Sequence, residues 1–225
     1  MSRDWIAADW PAPAAVVAGT TLRGGNLDAL RLPGEPCWLN QVHGAAVVTA
    51  AHYESPPDAD ASVARGPGHI CVVRTADCLP VLFCAVDGSE VAAAHAGWRG
   101  LAAGILEATV SRMESEPGNL LAWIGPAISQ RAFEVGREVL DAFASQDPGA
   151  ADCFEPNERG RWQADLYALA RRRLAAAGVA ACHGGALCTF GDEERFFSYR
   201  RDADSGRMVS FVALKALENT GEGAI

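Results

Sequence analysis

The stretch that most constrains this chain is Pro80–Val86, Asp87-Gly88 and Glu90–His95, two apolar runs around a turn dipeptide. Glycine accepts the positive φ that a tight turn needs, so the runs read as antiparallel neighbours. Ile70–Thr75 reads as a third strand, and Leu120–Ile124 as a fourth that ends at Gly125-Pro126. Phe196–Arg200 and Met208–Leu214 flank Asp204-Ser205-Gly206 and read as a second hairpin. Helical periodicity lies between these runs. Leu101, Ile105, Ala108, Thr109 and Met113 share one face of a helix over Gly100–Met113. Ser129 caps a helix running to about Phe143, with Phe133, Gly136, Leu140 and Phe143 inward. Asp165 caps Leu166–Ala177, and Gly178 suits its stop. Strand pairs joined by tight turns and mixed with helices predict a mixed α/β (α+β) fold, not a regular βαβ repeat.

A chain of 225 residues, 49% hydrophobic and 21% charged, can bury a sizeable core. One domain over 1–225 is expected, with a frayed tail over 219–225. The net charge of −9 opposes broad binding to phosphate backbones, so no nucleic-acid partner is expected. It leaves room for a local basic pocket that takes a small anion. Apolar stretches such as Val91–Ala94 and Leu101–Leu106 are far too short to span a membrane. The first residues lack an apolar h-region and carry Asp4 and Asp9, so a cytoplasmic location is expected. The seven cysteines are odd in number and form no C-x-x-C, which argues against a disulfide framework. Cys71 and Cys84, inside apolar runs, read as core. Monomer and dimer both stay open.

Three short segments place reactive residues where strands end: Gln41-Val42-His43-Gly44, Thr75-Ala76-Asp77-Cys78-Leu79-Pro80 and His95-Ala96-Gly97-Trp98-Arg99-Gly100. The apolar run Val91–Ala94 delivers His95. Gly97 and Gly100 then permit a strand-to-helix turn whose free N–H groups, with Arg99, suit an anion. Pro80 cannot continue a central ladder, so a bend is expected at Cys78. Alone, each segment has a bland reading, a surface arginine for Arg99, a buried thiol for Cys78 and a satisfied loop histidine for His43, and for the last two the bland reading leads. Taken together, His43, Cys78 and His95 form a set that zinc accepts, since catalytic zinc sites use three protein ligands and an open position. Asp77 reads either as a proton shuttle or as the partner that holds a ligand histidine. Gln41, Tyr199, Arg200 and Arg201 are candidates to line the site.

The segments "NQVHG", "TADCLPVLF", "VAAAHAGWRG", "LAWIGPAI", "AFEVG" and "FFSYRRD…GRM", in this order from about Trp38 to Phe211, resemble the YfiH, or laccase-domain, family. The resemblance implies stacked mixed β-sheets flanked by helices, a fold related to the cysteine–histidine deamidase domain of a bacterial cytotoxic factor. It implies that His43, Cys78 and His95 are both zinc ligands and catalytic residues. It also implies purine nucleoside phosphorolysis of adenosine, inosine, guanosine and methylthioadenosine, with adenosine deamination. Cys188-Thr189 matches a family element near the pocket. The chain departs from the family where Thr20-Thr21-Leu22-Arg23-Gly24-Gly25-Asn26-Leu27 runs directly into Asp28-Ala29-Leu30. The arginine is displaced by one position and a longer loop is missing, so Arg23 stays outside the catalytic set.

Three other readings follow. The family also includes a peptidoglycan-precursor editing role, which makes Cys78 a nucleophile and His95 its base. Copper-dependent polyphenol oxidation, another family description, needs many histidines, and this chain has five, at 43, 52, 69, 95 and 183. A zinc-stabilised binding module without catalysis is the fourth.

Overall fold

A computed structural model describes residues 4–216. The expected frayed tail, 219–225, lies outside the described residues. The first half of the chain forms β1 (Trp5–Ala7), β2 (Val16–Thr21), β3 (Gly34–Cys37), β4 (Val47–Thr49), β5 (Ala61–Arg65), β6 (Gly68–Thr75), β7 (Leu79–Ala85) and β8 (Glu90–Ala96). Two helices follow, α1 (Trp98–Ala102) and α2 (Ile105–Arg112), then β9 (Leu120–Ile124), β10 (Glu134–Val135) and α3 (Arg137–Ala144). The remainder is β11 (Phe154–Pro156), β12 (Trp162–Ala164), α4 (Leu166–Ala176), β13 (Ala181–Gly184) and β14 (Met208–Leu214).

These strands build two stacked mixed sheets flanked by helices. One sheet has the order β1-β2-β14-β6-β3, the other β13-β9-β7-β8-β5-β4, and β10-β12-β11 form a small third sheet. The two-residue period of a strand explains the layers. Along β7, Val81 and Phe83 pack with Leu101, Ile105, Leu140, Leu169 and Leu174 of the helices. The alternate residues Leu82 and Cys84 meet Cys71, Val73 and Val212 of the facing sheet. All seven residues of β7 and all seven of β8 are buried, because both faces of this sheet are covered. The outer face of the first sheet, Ile70, Val72 and Phe211, is covered by Leu27, Leu30 and Leu32 of the short segment between β2 and β3.

The Asp87-Gly88 turn joins β7 and β8 as expected, with Gly88 at φ 75°. The Asp165 side chain accepts a hydrogen bond from Ala168 N and caps α4, and Gly178 follows that helix at φ 88°. Four expectations need correction. The helix over Gly100–Met113 is two helices, broken at Gly104, whose φ of 92° no regular helix tolerates. The helix expected from Ser129 starts only at Arg137, because Glu134 and Val135 pair with β12 instead. Phe196–Arg200 is not a strand. β14 is already paired on both edges, with β2 and β6, so no partner edge is left for it. Pro80 lies inside β7 and does not end it. Its carbonyl accepts from Gly125 N at 2.9 Å, just past the end of β9, so its missing N–H faces no ladder partner. The bend falls one step earlier, at Asp77, with φ 86°.

Candidate active site and metal centre

Three strand ends meet at one end of the sandwich. His95 is the penultimate residue of β8, Cys78 immediately precedes β7, and His43 lies in the loop after β3. That loop is tied down twice. The Gln41 amide donates to Arg74 O at 2.9 Å and accepts from Arg74 N at 2.8 Å, copying a strand pair at the end of β6. Val42, His43 and Gly44 N–H groups donate to the Asp60 carboxylate at 3.2, 3.0 and 2.7 Å. Those bonds hold His43 at φ 60°, a conformation costly for a side chain with a Cβ.

The result is one cluster. His43 Nε2 and Cys78 Sγ are 3.9 Å apart, and the His43 and His95 rings meet edge to face at 4.7 Å between centroids. One donor atom from each of His43, Cys78 and His95 lies within 4.8 Å of the other two. A tetrahedral zinc with ordinary bond lengths holds such ligand atoms about 3.4–3.6 Å apart, so small side-chain movements close the set. His95 Nδ1 bonds Asp60 Oδ1 at 2.7 Å, which leaves Nε2 for an ion. Asp60 and His95 are buried, Cys78 is half-buried and His43 is exposed, so the cluster opens to one side. Gly97 is required by space. A Cβ there would meet His43 Cδ2 at 2.9 Å and Cys78 Sγ at 3.0 Å. A Cβ at Gly100 would meet Gly44 O at 2.9 Å.

Burial pushes the Cys78 thiol up, but hydrogen bonds and charge from His43 and His95 outweigh it and bring its pKa to about 6. Burial pulls His95 down, and the bonds to Asp60 and Cys78 outweigh that and raise it to about 9. Burial likewise pushes Asp60 up, yet His95 and the amides of Gly44 and His43 hold it below the usual carboxylate range. Without metal, these opposite shifts favour a thiolate beside an imidazolium, anchored on a buried carboxylate.

A cavity of about 880 Å³ opens from this cluster. Gln41, Asp77, Arg99, Tyr199 and Arg200 all line it, alongside Trp98, Phe133, Arg74 and Arg207. Arg99 is exposed and lies over the Trp98 ring at 4.4 Å. Arg200 lies over the Phe133 ring at 5.5 Å and donates to Glu134 O. Among the described residues, Asp77 bonds neither His43 nor His95. Its oxygens accept from Thr189 Oγ1 at 2.6 Å, Ser198 Oγ at 3.0 Å and Arg200 N at 2.7 Å, so it joins the 189–200 segment to the Cys78 turn. The expected histidine partner is Asp60, which sequence reasoning missed. Its one signal is a carboxylate inside the apolar run Ala59–Val63. Arg201 spends its guanidinium on the carbonyls of Thr189, Phe190 and Phe196 and does not line the cavity. Arg23 stacks on Phe197 and bonds Glu193, also away from the cavity. Cys188 bonds Ser129 Oγ at 3.0 Å, while its neighbour Thr189 holds Asp77. All seven cysteines are free. No helix among the described residues is long and apolar enough to cross a membrane.

Residues 20–215 match the family of multi-copper polyphenol oxidoreductase laccases. A purine nucleoside phosphorylase of Pseudomonas aeruginosa is 48% identical over 243 residues, covering 94% of this chain and 98% of that protein. That alignment is longer than the chain itself, so the relative carries residues that this chain lacks. Purine nucleoside phosphorylase YfiH of Escherichia coli is 55% identical over 185 residues, 81% of this chain and 75% of that one. Among solved structures, a Neisseria meningitidis protein superposes with a TM-score of 0.89 at 45% identity, covering 95% of this chain and all of that one. YlmD from Geobacillus stearothermophilus gives 0.88 at 27% identity, covering 96% of this chain and 98% of that one.

Proposed function

This chain belongs to the YfiH, or laccase-domain, family, and from that premise we propose that it is a zinc-dependent purine nucleoside phosphorylase that also deaminates adenosine. The observation that carries this reading is the charge of the cavity. In a chain of net charge −9, Arg74, Arg99, Arg200 and Arg207 line it, and none has an ion-pair partner among the described residues. Such a pocket takes an anion, and phosphorolysis brings one to the sugar carbon while the purine leaves with developing negative charge. Trp98, Phe133 and Tyr199 add aromatic rings to the lining, the surface a purine base packs against. Arg99, Arg200 and Tyr199 are the proposed substrate contacts, and Gln41, with its amide engaged, shapes the wall. Asp77 supports that wall by holding Arg200 N. Asp60 fixes the His95 ring and the His43 loop. A zinc held by His43, Cys78 and His95 would supply Lewis acidity beside the departing base. Copper also accepts two imidazoles and a thiolate. A multinuclear copper oxidase is disfavoured, because His52, His69 and His183 lie outside the one His/Cys/acid cluster among the described residues. The whole chain is read as one domain, working in the cytoplasm, where thiols stay reduced. The test is metal-replete enzyme incubated with adenosine or inosine plus phosphate, followed by ³¹P NMR for ribose 1-phosphate and by ammonia release. Absence of ribose 1-phosphate sinks the phosphorylase reading.

One observation favours a second reading. His95 is bonded to Asp60 at 2.7 Å and has a ring nitrogen within 4.8 Å of Cys78 Sγ, which brings a thiol, an imidazole and a carboxylate together as an acyl-transfer nucleophile, base and orienting group would be. An amide hydrolase acting on a cell-wall precursor would use it without metal. Stoichiometric labelling of Cys78 by an acyl-donor analogue, with turnover that survives chelation, would support this alternative.

A further inference from the structure

The cavity carries two hydroxyls with nothing to bind. Thr75 Oγ1 and Ser205 Oγ are buried, line the cavity and have no hydrogen-bond partner among the described residues. Thr75 is 1% exposed. It ends β6 and pairs with Met208, the first residue of β14, so the turn carrying Ser205 and Arg207 arrives beside it. Arg74 precedes Thr75 in the chain and lines the same cavity, its guanidinium lying over the Trp38 ring at 5.8 Å with a long bond of 3.4 Å to Leu39 O and no acid partner among the described residues. Arg207 is held in place by its own turn, donating to Ser205 O and Gly206 O. A buried hydroxyl without a partner costs stability, and valine would remove that cost at Thr75 with the same shape. Two such hydroxyls in one cavity with two cations without ion-pair partners are what a site for an oxyanion looks like before the ligand arrives.

Building on the phosphorylase reading, we propose that Thr75 and Ser205, with Arg74 and Arg207, form a phosphate subsite distinct from the His43–Cys78–His95 cluster. The two hydroxyls donate to phosphate oxygens and the two guanidinium groups neutralise the charge. The phosphate is either inorganic phosphate or a phosphoryl group carried by the substrate.

Binding of inorganic phosphate, AMP and adenosine is measured by calorimetry on wild type, Thr75→Val, Ser205→Ala and Arg207→Gln, without turnover. Thr75→Val is expected to weaken phosphate binding roughly tenfold while its Tm stays level or rises. Arg207→Gln is expected to weaken it at least as much. If AMP binds wild type more tightly than adenosine and Thr75→Val abolishes the difference, a substrate phosphoryl group uses the subsite. Unchanged phosphate and AMP affinity in Thr75→Val overturns the proposal, as does absence of any phosphate or AMP binding by wild type. Should Arg207→Gln fail to fold, Thr75→Val and Ser205→Ala decide alone. Thr75-dependent phosphate binding in an enzyme that forms no ribose 1-phosphate keeps the subsite and sinks the phosphorylase reading. Ribose 1-phosphate formation with a phosphate KM unmoved by Thr75→Val does the reverse.

Discussion

At the scale of single residues, the thiolate–imidazolium pair makes predictions that need no substrate. In metal-free protein, Cys78 should react with iodoacetamide with a midpoint near pH 6, well below the ordinary thiol value of 9.0. His43→Ala should move that midpoint upward, because a hydrogen bond to the thiolate is lost. Mass spectrometry of the labelled peptide across a pH series measures both. Stability linkage adds a second expectation. His95, raised from 6.5 to about 9, contributes stability that is complete below 6.5 and lost as pH rises through about 9. Cys78, lowered from 9.0 to about 6, contributes stability that is complete above 9.0 and lost as pH falls through about 6. Between 6.5 and 9 the two slopes cancel, since folding moves one proton from sulfur to nitrogen without net uptake. The Tm of metal-free wild type should therefore be flat over that window. That of Cys78→Ser should fall as pH rises, because the bond to Asp60 still raises His95.

At the scale of elements, the turn from β8 into α1 was legible as a glycine turn, but its reason was not. Gly97 sits at φ −60°, where any residue fits. What requires glycine is the approach of His43 and Cys78 from other parts of the chain. Gly97→Ala should leave the fold intact yet weaken metal binding by tenfold or more, read by competition with a chromophoric chelator. Capping behaves differently, because it is local. Asp165 was recognisable as the cap of α4, and Asp165→Ala should cost about 1 kcal/mol in denaturant unfolding, with no change in metal affinity. The corrected elements failed for one shared reason. Ser129–Phe143 and Phe196–Arg200 carry apolar residues at plausible spacing, but pairing edges elsewhere decide their conformation.

At the scale of the whole molecule, the site joins strand ends that are far apart in sequence, so the ion should also act as a staple. Metal loading should raise Tm over chelated protein in a concentration-dependent way, and Asp60→Asn should reduce that gain by loosening both histidines. Read alone, the sequence determined the central hairpin, the α4 cap and the mixed α/β class, and it offered His43, Cys78 and His95 as a donor set whose meeting in space only the family resemblance implied. Each of those rests on local backbone preferences or on donor chemistry that residue types carry with them. Tertiary structure alone decided that Asp60 rather than Asp77 supports the histidines, that Arg201 clamps carbonyls, and that Arg74, Thr75, Ser205 and Arg207 line one cavity. Strand register sets those neighbours, and register is settled by which faces are buried across two sheets, a sum over distant contacts that no short window of sequence contains.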